Sequence, residues 1–63
     1  MNYKIKTNEI KAETTKDAIK EISSDPYLND MAQHIANYKN WAVGDAIEAI
    51  ANHIIVTDTD YTI

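Results

Sequence analysis

The chain has 63 residues, with ten acids against six lysines, no arginine, no cysteine and a formal charge of −4 at pH 7. That length allows one domain, which buries only about 60% of the surface its unfolded form exposes. Without cysteine, neither a disulfide nor a thiolate zinc site can brace it. The shortage of cations argues against tight binding to nucleic-acid phosphates or anionic membranes, both of which need clustered Lys or Arg. The charge is also unevenly spread. Lys4, Lys6, Lys11, Lys16 and Lys20 outweigh Glu9, Glu13 and Asp17 to give the first twenty residues +2, while the remainder carries −6. An acidic balance points toward basic partners or toward nothing beyond solubility.

The first ten residues alternate apolar and polar positions and contain no leader-like apolar run. The longest apolar stretch, Ile54-Ile55-Val56, is too short to cross a bilayer. The expectation is a soluble cytoplasmic domain. Tyr3, Ile5 and Thr7 alternate with Asn2, Lys4 and Lys6, the period of a half-buried strand over 2–7. Ile10 and Ala12 shift the parity, so a turn at Thr7-Asn8-Glu9 and a second strand over 9–13 are expected, forming a hairpin. A single long bulged strand is the alternative.

Thr14 offers a hydroxyl cap with Asp17 three positions on, and Ala18, Ile19 and Ile22 give the apolar stripe of a helix near 15–23. Asp25-Pro26 then opens a second helix over 26–38, Asp25 capping and Pro26 standing where its missing N–H costs nothing. Its core face is Leu28, Met31, Ala32 and Ile35, and Asn37 and Asn40 mark its end. Gly44-Asp45 reads as turn and cap for a third helix, whose Ile47, Ile50, Ala51 and Ile54 keep the clearest helical period in the chain. From Ile55 the pattern returns to alternation through Thr57, Thr59, Tyr61 and Ile63. The order β-β-α-α-α-β predicts an α+β domain with a short, mostly antiparallel three-stranded sheet packed on helices, the last strand lying beside the first.

Catalytic and metal chemistry find little support. Asp30 and His34 share a helix face, but spacing nominates no third ligand, and His53 suits a helix C-terminus. Asp58-Thr59-Asp60 lacks the Gly and distal Glu of a calcium loop. No nucleophile motif is present, and Asp45 with Glu48 sits in a first helical turn, where acids are favoured anyway. No enzyme activity, metal or cofactor is expected.

The aromatics Tyr27, Tyr38, Trp41 and Tyr61 fall at element ends rather than at mid-helix core positions, and Tyr and Trp near acids are common interface anchors. Asp25 and Asp45 have capping roles, whereas Glu21, Asp30, Glu48, Asp58 and Asp60 have none that the sequence shows. Surplus carboxylates on one face would compete for a basic nucleic-acid groove.

In size, in lacking Cys and Arg, in Asn/Lys/Ile-rich usage and in an acidic body bearing Tyr and Trp, the chain resembles the small acidic inhibitors of phages and mobile elements, the anti-CRISPR and antirestriction proteins. Those proteins share no motif, so the resemblance assigns no residue. It implies a non-enzymatic inhibitor that occupies the basic site of a larger nucleic-acid-handling protein. The expected contact residues are Asp30, Tyr38, Trp41, Asp45 and Glu48, extended by Asp58 and Asp60. The alternative is a structural module that forms a homo-oligomer through its helical face. Direct nucleic-acid binding by the five early lysines is disfavoured by the interspersed Glu9 and Glu13, and strand lysines also guard an edge against aggregation.

Overall fold

The computed structural model describes residues 3–63. The chain forms a short strand β1 (Lys4–Ile5), a 3-10 turn over Thr7–Glu9, helices α1 (Thr15–Ser24), α2 (Pro26–Lys39) and α3 (Val43–Thr57), and a last strand β2 (Tyr61–Thr62). β1 and β2 pair antiparallel, with Lys4 opposite Thr62 and Ile5 opposite Tyr61. One further bond, from the Ile63 amide to the Tyr3 carbonyl at 3.1 Å, extends the pairing. None of the helices among the described residues is long and apolar enough to cross a membrane.

The helices start and stop where local chemistry dictates. The Thr14 hydroxyl accepts the Asp17 amide at 3.2 Å. Asp25 ends α1 and caps α2, its carboxylate accepting the amides of Tyr27 at 2.9 Å and Leu28 at 3.1 Å. Asn40 closes α2 in the left-handed region at φ 60°, and the Trp41 amide reaches back to the Ala36 carbonyl at 2.8 Å, the wrapped ending such a residue permits. α3 opens differently from expectation. Its N-cap is Ala42, with no side-chain cap, and Gly44 and Asp45 lie inside the first turn. Asp45 therefore caps nothing.

The core is assembled from β1, the three helices and Ile10, with Tyr61 of β2 packed against it. The four largest fully buried side chains are Ile5 of β1, Ile22 of α1, Ile35 of α2 and Ile50 of α3. Around them Ala18, Ala32, Ala46 and Ala51 are fully buried, and such small residues let helices approach closely without voids. The radius of gyration is 10.1 Å, against about 10.6 Å expected for a compact chain of this length. The interior closes within one chain.

The expected three-stranded sheet is not found: among the described residues the sheet has two strands, and Asn2 of the expected first strand lies outside those residues. The turn at Thr7–Glu9 is present, tightened by bonds from the Glu9 amide to the Lys6 carbonyl at 3.0 Å and from the Lys6 amide to Glu9 Oε1 at 3.0 Å. Beyond it, residues 9–13 do not return as a strand. The Lys11 amide donates to both carboxylate oxygens of Glu21 at 3.0 Å, and the Ala12 amide to Oε1 at 2.9 Å. Donors that a hairpin would give to a neighbouring strand go instead to one side chain of α1.

The last strand is also shorter than its alternation suggests. Residues 55–57 continue α3, and Asp58 ends it at φ 54°. The Thr57 hydroxyl donates to the His53 carbonyl at 2.6 Å, which commits its one proton. The 2.7 Å contact between Thr57 and Thr59 hydroxyls is then donated by Thr59. His53 Nε2, 3.1 Å from both Thr59 Oγ1 and the Asp60 carbonyl, faces only acceptors and must carry the proton. Edge-on packing of the His53 ring against Tyr61, 5.4 Å between centroids, seats the strand on α3.

Two outcomes follow. Glu21→Ala strips the partner from the Lys11 and Ala12 amides and lowers stability by about 1–2 kcal/mol in urea denaturation; an unchanged midpoint would show that the carboxylate does not hold this segment. Long-range proton–nitrogen spectra show neutral His53 as the Nε2–H tautomer, and a protonated Nδ1 would contradict the hydrogen-bond order.

Candidate partner-binding site

α3 sets the geometry of the acidic surface. With 3.6 residues per turn, Asp45, Glu48, Asn52 and Ile55 fall on one side of the helix. The opposite stripe, Ile47, Ile50, Ala51 and Ile54, is buried. Asp45 and Glu48 line an open groove of about 430 Å³ between α3 and α1, together with Ala49, Asn52 and the α1 residues Thr15 and Ile19. Both acids are exposed. Neither carboxylate makes an ion pair or a hydrogen bond among the described residues, where the ion pairs are Lys4–Asp60 and Asp30–His34.

Tyr38 in the last turn of α2 is 67% exposed, Trp41 on the α2–α3 connection 42% and Val43 at the start of α3 38%. Lys39 stands over the Trp41 ring, its ammonium 5.5 Å from the centroid, so the one lysine beyond residue 20 is engaged with an aromatic face.

The other expected contact residues are dispersed. Asp30 is on α2, its carboxylate 3.3 Å from His34 Nε2, and the imidazole stacks flat on Tyr3 at 5.1 Å between centroids. Asp60 is tied inward: Oδ1 accepts the Thr7 amide at 2.8 Å and Oδ2 pairs with the Lys4 ammonium at 3.5 Å. Asp58 lines a second groove of about 260 Å³, where Glu13, Ile10, Ile54 and Ile55 meet it. Tyr61 is partly buried, and that burial pushes its phenol above the ordinary 10.0.

The structure thus joins Asp45 with Glu48 in one groove, and leaves Tyr38 in the last turn of α2 and Trp41 on the α2–α3 connection. It sends Asp30, Asp58 and Asp60 elsewhere. Glu21 and Asp60, which show no role in the sequence, are structural ligands for backbone amides. Glu13, which sequence reasoning leaves within a strand, lines a groove instead. Its position just before the Thr14 cap was the available signal, since a residue preceding a helix is not bound to alternate. Among the described residues, no group of three or more His, Asp or Glu converges as a metal site would require.

No family model, curated protein or solved structure matches the chain.

Asp60 carries a pH signature. The Thr7 backbone amide, with the Lys4 ammonium adding to it, holds its carboxyl below the ordinary 3.8. A carboxyl lowered in the folded state contributes stability above its unfolded value, and the contribution fades as pH falls through the folded one. Asp60→Asn is therefore less stable than wild type at neutral pH, and the gap closes as urea midpoints are taken well below 3.8. A gap independent of pH would contradict this.

Proposed function

We propose that the protein is a non-enzymatic inhibitor of the cytoplasm that occupies a basic nucleic-acid-binding site on a larger protein, such as a CRISPR effector or a restriction enzyme, in the manner of the small acidic inhibitors of phages and mobile elements. One observation supports it above the rest: Asp45 and Glu48 stand exposed and unpaired together in one groove. Carboxylates with internal partners have part of their field offset, whereas these two project it in full. Asp45 lies in the first turn of α3, where the helix dipole favours an acid, and Glu48 one turn further on; neither is engaged within the fold. Trp41 and Tyr38 supply the desolvated contact that gives residence time, and the charges speed encounter and fix orientation.

The competing reading, self-association through the helical face, draws less support. The Ile47, Ile50 and Ile54 stripe is 0–5% exposed within the single chain and has nothing left to bury. Self-association would have to run through the exposed Tyr27, Tyr38, Trp41, Val43 and Val56.

The test is competition. Nucleic-acid binding by a panel of CRISPR effectors and restriction enzymes is measured by fluorescence anisotropy at low salt with and without the protein. Inhibition of at least one effector, relieved by added nucleic acid, by salt and by Asp45→Lys with Glu48→Lys, is the expected result. Inhibition that survives the double charge reversal at low salt, or none across the panel, overturns the reading.

A further inference from the structure

α2 carries one side that the core does not use. Tyr27, Asp30, His34 and Tyr38 follow one another at intervals of three and four residues, so they line a single face of the helix. Leu28, Ala32, Ile35 and Ala36 form the buried face. Tyr27 is 55% exposed, and the side chains of Asp30 and His34 are 71% and 48% exposed. At the middle of the face Asp30 Oδ2 lies 3.3 Å from His34 Nε2. That is longer than the ~2.9–3.0 Å of a well-made N–H···O hydrogen bond, and it matches the edge of a zinc tetrahedron. Bonds of ~2.1 Å from the metal to imidazole nitrogen and carboxylate oxygen set neighbouring donors about 3.4 Å apart. The flat stack of the His34 ring on Tyr3 fixes the plane of the imidazole, and so the direction of Nε2, before an ion arrives.

We propose that Asp30 and His34 are half of a zinc site, completed by the same pair from a second copy of the chain, with the ion on the twofold axis between two antiparallel α2 helices. Among the described residues of one chain no third His, Asp or Glu converges on the pair, and zinc held by protein alone takes four donors. A twofold contact supplies the missing two, because it brings each residue's counterpart to the same place. Two aspartates cancel the charge of the ion and two neutral imidazoles complete its shell, so a chain of net charge −4 meets its copy across a neutral site. The donor set suits zinc. Magnesium and calcium prefer shells of oxygen alone, and copper(II) prefers a square arrangement over a tetrahedral one.

The same axis pairs the tyrosines. From the middle of the Asp30–His34 pair, Tyr27 lies about 7.5 Å along the helix in one direction and Tyr38 about 9 Å in the other. In an antiparallel pair Tyr27 of one copy therefore falls level with Tyr38 of the second, and the rings lose water together. That contact is too small to hold alone. Stable complexes bury roughly 800 Å² per partner, about a fifth of the 4093 Å² that this chain exposes, and one face of a 14-residue helix offers less. The ion therefore decides the oligomeric state. Asp45 and Glu48 line the α1–α3 groove and take no part, so the zinc site does not rest on the inhibitor reading; Tyr38 alone is common to both.

The test is sedimentation velocity of the full chain at micromolar concentration, first with EDTA and then with zinc chloride added to one ion per two chains. A monomer in EDTA and a dimer in zinc, returned to monomer by excess EDTA, is the expected result. Calorimetric titration with zinc chloride gives a stoichiometry of one ion per two chains. Asp30→Asn and His34→Gln each weaken zinc binding at least about tenfold and abolish the dimer, while circular dichroism shows the helices intact. His53→Gln, which removes the other imidazole, leaves the zinc dimer in place. A dimer already present in EDTA, a monomer whose mass zinc does not change, or a zinc dimer that survives Asp30→Asn and His34→Gln overturns the proposal.

Discussion

Four isoleucines hold this protein together. Ile5, Ile22, Ile35 and Ile50 come from β1 and the three helices, and each is sealed from solvent. A chain of 63 residues without cysteine has no other brace available, so these side chains must converge, and the alanines around them must be small enough to allow it. Everything polar is arranged on the outside of that constraint. α3 can turn acids outward along one side because its other side is fully committed to the interior.

The same constraint explains why the acids divide into two kinds. Once Ile5 is anchored, the segment between β1 and α1 must cross the core surface without a neighbouring strand to take its amides. Glu21 takes two of them and Asp60 takes the Thr7 amide. Buried or half-buried amides need acceptors, and a carboxylate on a fixed element is a strong one. Asp45, Glu48, Glu13 and Asp58 are under no such demand. Their charge is left over after folding is complete, and that remainder is what a basic partner would read.

Much of this was legible beforehand. The helical stripes of Ala18, Ile19 and Ile22, of Leu28, Met31, Ala32 and Ile35, and of Ile47, Ile50, Ala51 and Ile54 are periodic because each must bury one face, and all are buried except Ile19 and Met31, which are partly buried against the core. Asp25-Pro26 announced a helix start, and the pairing of the last strand with the first followed from two half-apolar segments that needed each other. The missing hairpin strand was not legible. Alternation at Ile10 and Ala12 records burial of every second residue, and an extended segment held by a carboxylate produces the same pattern as a strand in a ladder. Nor could the sequence separate Glu21 from Glu48. The partner of Glu21 is a pair of amides about ten residues earlier in the chain, and no local rule links them. Asp45 misled for the opposite reason, since Gly-Asp before an apolar run imitates a cap although α3 begins at Val43.

The division between structural and outward carboxylates is the claim on which the functional reading stands, and carboxyl labelling tests it most directly. The folded protein is amidated at its acids with a carbodiimide and a small amine, and the rate at each acid is read by peptide mass spectrometry. Asp45 and Glu48 react fast, at rates close to those of the unfolded chain, while Glu21 and Asp60 react several times more slowly because backbone amides occupy their oxygens. Equal rates at all four, or protection of Asp45 and Glu48, would contradict the account.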